Sequence, residues 1–320
     1  LAAGQRYRVE VEIAKKVPRV LDFTAVRIGI GLPLGDAAFA EAVAAARAAD
    51  VAIVCVGRTG EWDTEGSDLE DIALPGRQDE LVAAVAAANP RTVVVLQTGG
   101  PVEMPWIDAV PALLQAWYPG QEAGNAIADV LLGAEPGGRL PQTFPVRWAD
   151  NPTASRDPEV YPGRDGRVRY AEGLFIGYRH YDRAGIAPLF PFGFGLSYTT
   201  FALDAFAARA EGDGIAVTGT VRNSGDRPGS TVLQIYVGDP EASVSRPARE
   251  LKAFAKLHLA PGEAQAVTLA LTPRDLAFWD EGRHAWVVEP GRFDILGGFS
   301  AADLPGRASV TVTEARMLAP

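Results

Sequence analysis

Val51-Ala-Ile-Val-Cys-Val-Gly57 is an unbroken apolar run that ends on glycine. After the polar segment Arg58 to Pro75 come Gly76 to Ala88, helical in pattern, and a second apolar run, Arg91-Thr-Val-Val-Val-Leu-Gln97. Strand, loop, helix, strand implies a mostly parallel sheet, and continuous apolarity predicts strands buried on both faces. The pattern begins at Asp36, placed to cap an Ala-rich helix through about Ala48. It continues in a short strand over Ala112 to Ala116 and a helix over Glu122 to Leu132, stopped by Gly133. Ligands of such sheets sit beyond the carboxyl ends of the strands, so the loop after Gly57 is the first place to look.

Upstream, residues 5–13 and Phe23 to Ile30 alternate polar and apolar with period two and predict two half-buried strands. Two strands form no stable domain, so they read as the end of a larger β-unit. The glycines of Gly29-Ile-Gly31-Leu-Pro-Leu-Gly35 lack the spacing of a dinucleotide loop, which removes a nucleotide-binding α/β protein from consideration. Downstream, residues 134–195 are rich in proline, glycine and aromatic residues and predict an ordered connector. From Thr200 on, seven strand-like runs follow at short intervals: Ile215–Arg222, Thr231–Val237, Leu251–Leu259, Ala264–Leu271, His284–Val288, Arg292–Leu296 and Ala308–Val312. That spacing predicts an immunoglobulin-like sandwich.

Composition narrows the function. The 320 residues include 34 Gly and 24 Pro, which suits a turn-rich β region, and 48% hydrophobic residues exclude a disordered chain. Forty acidic against 30 basic side chains, a net −10, argue against a nucleic-acid or anionic-membrane partner. A neutral or cationic ligand fits better. No apolar run reaches the roughly 18 residues of a membrane span. Cys55, alone within its apolar run, reads as a buried core thiol, and His180, His258 and His284 have no metal-ligand spacing, so neither metal nor cofactor is expected. The chain opens on Leu-Ala-Ala-Gly-Gln-Arg, without Met or a signal-peptide apolar segment. It therefore reads as a piece of a longer protein, and cytoplasmic and secreted compartments both stay open.

The densest polar feature is the loop itself. Glu61, Asp63, Glu65, Asp68, Glu70 and Asp71 crowd into positions 61–71, a density that disfavours full ionisation and suits a carboxylic acid that must donate a proton. Trp62 offers a flat apolar face for a sugar ring or for desolvating a neighbour. The competing reading is a solvated acidic loop whose Asp residues cap turns. Gly195-Leu-Ser-Tyr-Thr199 lacks the final glycine of a nucleophile elbow. Trp279, Trp286 and Phe293 fall in predicted sandwich strands or turns, where core packing is the expected role.

Several stretches together resemble a known family. They are Gly60-Glu-Trp-Asp-Thr-Glu-Gly-Ser-Asp68, Leu74-Pro-Gly-Arg-Gln-Asp-Glu-Leu81, Asn89-Pro-Arg-Thr-Val-Val-Val95, Pro101-Val-Glu-Met-Pro-Trp106, Ala116-Trp-Tyr-Pro-Gly-Gln-Glu122 and Gly137-Gly-Arg-Leu-Pro-Gln-Thr-Phe-Pro145. In this order they look like the second domain of glycoside hydrolase family 3, the β-glucosidase family. Tyr170-Ala-Glu-Gly-Leu-Phe-Ile-Gly-Tyr-Arg-His-Tyr181 and Pro191 to Phe201 resemble its connector and the entry to its fibronectin type III-like domain. The likeness spans about residues 36–315.

The resemblance implies an α/β domain with a mostly parallel sheet, followed by an all-β immunoglobulin/fibronectin III-like sandwich. Residues 1–34 would be the closing strands of a β-sandwich insert, 35–148 the α/β sandwich domain, 149–195 the connector and 196–320 the fibronectin type III-like domain. It implies a retaining β-glycosidase, β-glucosidase-like, that hydrolyses terminal non-reducing β-linked sugars. The nucleophilic carboxylate would come from an N-terminal barrel of the same protein, absent here, so this chain alone would be inactive. The family's Thr-Glu-Gly-aromatic-Asp-Arg pattern maps onto Thr64 to Leu69 and carries the acid/base role to Glu65, with Glu61 in reserve and Trp62 and Asp68 as substrate contacts. Ser67 and Leu69 depart from the pattern on the aglycone side. The expected partners are a carbohydrate or glycoside substrate and the barrel segment, with a homo-oligomer left open. The alternative from another class is a non-catalytic carbohydrate-binding or interaction fragment.

Overall fold

The computed structural model describes residues 5–12, 35–66, 68–154 and 157–320. Gln5 to Glu12 form no strand, which corrects the first period-two prediction over its described part. The second predicted strand and the Gly29–Leu34 stretch lie outside the described residues.

From Asp36 the α/β order appears as read: α1 Asp36–Ala48, β1 Ala52–Gly57, α2 Gln78–Ala88, β2 Thr92–Gln97, β3 Ala112–Gln115 and α3 Ala123–Leu131. Gly35, not Asp36, occupies the cap of α1. The Asp36 carboxylate instead meets Arg77 at 2.7 Å. Among the described residues, β1, β2 and β3 form one parallel sheet in that order, with Val54 opposite Val94 and Val94 opposite Leu113. Ala52, Val54 and Val56 face Ala46, Val82 and Val85 of the first two helices in a single core.

The other face of β1 is open. Ile53 is 53% exposed and Cys55 is exposed, so the strand alternates where burial on both faces was expected, and Cys55 is not a core thiol. An unbroken apolar run reports what a strand can bury, and at this edge no described element lies over its second face. α3 likewise buries no residue, and Leu132 just past its end is 88% exposed.

Asn89 ties the layers together. Its amide nitrogen donates to the carbonyls of Ala46 and Ala49, both at 2.9 Å, and its oxygen accepts from the Arg91 N–H at 2.8 Å. One buried side chain thereby satisfies the end of α1 and the start of β2.

The connector is ordered by its aromatic rings. Phe144 pairs with Phe190 as an isolated bridge, Phe190 stacks on Phe194, and Tyr178 in α4 Tyr178–Ala184 sits edge-on to Tyr236. The sandwich comprises β4 Phe201–Glu211, β5 Gly214–Asn223, β6 Gly229–Gly238, β7 Glu250–Leu259, β8 Ala264–Leu271, β9 Phe278–Asp280, β10 Ala285–Val288, β11 Gly291–Gly298, β12 Gly306–Val312 and β13 Arg316–Leu318. An antiparallel sheet β12-β11-β6-β7 faces β4-β5-β8 across a core that contains Phe293, while Trp286 packs at its margin and Trp279 is 37% exposed. Polar contacts join this unit to the α/β part. Glu135 accepts from the Ser230 N–H at 3.0 Å and the Ser197 hydroxyl at 2.7 Å, and Arg249 grips Asp182 at 2.5 and 2.8 Å.

Asn89→Ala leaves the Ala49 carbonyl and the Arg91 N–H without their side-chain partner and takes one of two contacts from the Ala46 carbonyl, and groups left unpaired away from water cost about 1–3 kcal/mol. Amide exchange in α1 and β2 should accelerate by an amount corresponding to about 2 kcal/mol while β5 to β8 keep their protection. Equal loosening of both units would contradict this role.

Candidate functional site

The three parallel strands end side by side, and each feeds a residue into the space beyond them. After β1 comes Arg58, whose side chain is 2% exposed. Its N–H continues the ladder to the Gln97 carbonyl at 3.0 Å, and Nη2 donates to the Ala73 carbonyl at 3.2 Å. Gly57 before it is clamped by Gln78, whose side-chain amide accepts from the Gly57 N–H at 2.7 Å and donates to its carbonyl at 2.9 Å. The side chain of α2 thus serves as a short strand at the open edge. The point where the acidic loop leaves the sheet is therefore fixed on both sides.

Asp63 closes the loop back onto the strand ends. One carboxylate oxygen lies 3.6 Å from Arg58 Nη1; the other accepts from the Gly99 N–H at 3.0 Å and the Tyr118 hydroxyl at 2.6 Å. Gly99 follows β2, and a Cβ there would stand 3.1 Å from the Tyr118 ring and 3.3 Å from Asp63. Tyr118 follows β3 by way of Trp117, a non-glycine residue at φ 55. That left-handed residue sends the Trp117 ring into the core, edge-on to Phe144, and swings Tyr118 over the loop. Burial, with the adjacent Asp63 carboxylate, pushes the Tyr118 hydroxyl up to about 12.

Arg58, Asp63 and Gly99 of this lock form one side of a groove of about 490 Å³, whose other walls include Trp62, Thr64, Asp68, Leu69, Trp148 and Tyr161. Trp62 is 51% exposed. Trp148, just before the connector, and Tyr161 within it meet edge-on at 5.7 Å, and the Tyr161 hydroxyl donates to the Leu69 carbonyl, which fixes the far side of the loop. Burial, with Asp68 close by, raises the Tyr161 pKa.

The six carboxylates divide by environment. Asp63 is bound into the lock, and Asp71 accepts the Ala73 N–H at 2.9 Å as a turn cap. Glu61, Glu65, Asp68 and Glu70 are exposed, and of the four predicted site residues Trp62 and Asp68 border the groove while Glu65 follows its Thr64 wall. The residues missed by sequence reading are Arg58, Asp63 in its locking role, Tyr118, Trp148 and Tyr161. A signal for Tyr118 existed: Trp117-Tyr118-Pro119-Gly120 directly follows the short strand Ala112 to Ala116, at a carboxyl end.

Among the described residues no cluster of His, Cys, Asp or Glu is arranged to hold a metal ion. No helix is long and apolar enough to cross a membrane, again among the described residues.

Comparison with known proteins places this geometry. Residues 3–198, more than half of the chain, match the glycosyl hydrolase family 3 C-terminal domain, and residues 231–301 match a fibronectin type III-like domain. A β-glucosidase of Rhizobium radiobacter is 53% identical over 320 residues, covering 98% of this chain and 39% of its own length. The crystal structure of β-glucosidase from Kluyveromyces marxianus in complex with glucose superposes with a TM-score of 0.84 at 42% identity, over 88% of this chain and 34% of that one. DesR, a β-glucosidase from Streptomyces venezuelae in complex with D-glucose, gives 0.82 at 44% identity, over 87% and 35%. The chain thus spans well under half the length of the relatives it matches. It belongs to glycoside hydrolase family 3, of which it carries the C-terminal domain and the fibronectin type III-like domain.

Proposed function

We propose that this chain supplies the proton donor of a retaining β-glucosidase, with Glu65 as the acid/base. The observation that carries the reading is the position of Glu65. It lies on the loop beyond the carboxyl end of β1, two residues past the locked Asp63 and next to an aromatic-walled groove. In the first step the Glu65 carboxylic acid gives its proton to the glycosidic oxygen as the C–O bond breaks, while a second carboxylate attacks the anomeric carbon. In the second step the Glu65 carboxylate takes a proton from water, which displaces the enzyme carboxylate and frees the sugar. The nucleophile belongs to an N-terminal segment of the kind present in the longer relatives. Trp62 lies flat against a ring of the substrate or its leaving group, and Asp68 accepts from a hydroxyl. Glu61 is the reserve donor. On this reading residues 35–148 form the catalytic-loop domain, 149–195 the connector that walls the groove, and 196–320 a buttress.

A second reading rests on the groove itself. Trp62, Trp148 and Tyr161 are all present in this chain, as a sugar-binding unit without catalysis requires. The two readings separate experimentally.

With this chain joined to the N-terminal portion of the Rhizobium radiobacter β-glucosidase, Glu65→Gln should lower turnover of aryl β-glucosides with poor leaving groups by about 10²–10⁴-fold. Activated dinitrophenyl glucosides, which need no protonation, should keep their first-step rate. Full activity on poor leaving groups would contradict the assignment and pass the role to Glu61.

The 320-residue chain by itself should release no nitrophenol from 4-nitrophenyl β-D-glucoside above the uncatalysed rate. Turnover would show that both carboxylates lie within it. Saturable calorimetric binding of a glucoside to this chain, with no effect of Glu65→Gln in the joined polypeptide, would favour the binding-unit reading.

A further inference from the structure

One side chain in the acidic loop is built differently from its neighbours. Glu61, Glu65, Asp68 and Glu70 are exposed, whereas the Asp63 side chain is only 15% exposed and meets a residue from the end of every strand of the parallel sheet: Arg58 after β1, Gly99 after β2 and Tyr118 after β3. The Tyr118 hydroxyl, while donating to Asp63, also lies 3.0 Å from the Arg58 carbonyl oxygen, so the three contacts form one closed network. Two backbone features favour it: the Trp117 left-handed turn and the absence of a side chain at Gly99. The guanidinium of Arg58 has no other carboxylate within ion-pair distance among the described residues, so without Asp63 a buried cation is left uncompensated.

We infer that Asp63 is the positioning residue of the proton-donating loop: by binding three strand ends at once it holds the turn of residues 64–66, and with it Glu65, at a fixed place beside the groove. The inference rests on the acid/base reading of Glu65. Asp63 borders the groove, but both of its oxygens are taken up by Arg58, Gly99 and Tyr118, so it acts through the backbone between itself and Glu65. A carboxylate is required because it must balance Arg58 and accept two hydrogen bonds on one oxygen. Asparagine keeps the shape and one acceptor but loses the charge. Tyr118→Phe removes the hydroxyl's contacts to Asp63 and the Arg58 carbonyl but spares the buried ion pair, which gives a milder second variant.

Two measurements test this. In the 320-residue chain, Asp63→Asn should speed amide exchange across residues 59–66 at least tenfold while α2 and the sandwich strands β5 and β6 stay unchanged, and Tyr118→Phe should do the same to a smaller degree. In the polypeptide joined to the Rhizobium radiobacter N-terminal portion, Asp63→Asn should lower the first-step rate for poor leaving groups at least tenfold, change their KM little and leave the first-step burst of dinitrophenolate from dinitrophenyl glucosides nearly unaffected. A merely structural loss would slow both substrates alike. Unchanged loop exchange in both variants, or equal loss on both substrates, overturns the positioning role. If the loop loosens as expected but Glu65→Gln is fully active, the acid/base reading has failed and Asp63 still holds the loop. If Glu65→Gln is crippled while Asp63→Asn is unaffected in exchange and rate, the positioning role alone has failed.

Discussion

A buried guanidinium organises the carboxyl end of the sheet. Arg58 sits at the last rung of β1 with its side chain 2% exposed, where an isolated charge is unfavourable and removal of its partner costs about 3–5 kcal/mol. Asp63 is that partner, and because it is only five residues along, the pair forces the chain into a tight excursion. The remaining oxygen of Asp63 then recruits a backbone N–H from one neighbouring strand end and a hydroxyl from the other. The loop is thereby anchored at both ends, by Gln78 on Gly57 and by Tyr161 on Leu69, with its exposed carboxylates between. Electrostatic compensation in the interior has become geometric control at the surface.

The rest of the molecule supports that arrangement. Val94, Val95 and Leu96 at the sheet centre are fully buried, so the strand ends have a rigid base. The connector runs from the sheet to the sandwich and passes the groove on the way, which is how Trp148 and Tyr161 come to face an acidic loop far from them in sequence. Close approaches fix its return path: a side chain at Gly195 would meet the Gly138 carbonyl at 2.4 Å. The sandwich holds the connector through Tyr178, Glu135 and Arg249. By contrast, among the described residues the second face of β1 is open and no residue of α3 is fully buried.

Sequence alone reached the α/β order, the run of sandwich strands and the location of the loop, because periodicity and the strand-end rule are local or topological signals. It failed where burial depends on neighbours. Cys55 and Ile53 lie in a run apolar enough for a doubly covered strand, yet face open space at a sheet edge. β4 went unread because Phe201-Ala-Leu-Asp-Ala-Phe-Ala-Ala-Arg-Ala-Glu211 is alanine-rich, and its ladder is broken by a bulge where Ala205 turns to φ 50. β9 and β13 are three residues each, too short for any period. In the site, Glu61, Trp62, Glu65 and Asp68 were visible as a cluster. Their division into locked and exposed groups was not, since Asp63 meets Tyr118 across 55 positions and Leu69 meets Tyr161 across 92.

The central claim is a division of labour: this chain holds the proton donor, and the nucleophile lies elsewhere. The most direct measurement is peptide mass spectrometry of the joined polypeptide after inactivation with a 2-deoxy-2-fluoro-β-glucosyl fluoride, which traps the nucleophile as a glycosyl ester. The account predicts the label on a carboxylate outside residues 1–320. A label on Glu65, Glu61 or any other carboxylate of the 61–71 loop would contradict it.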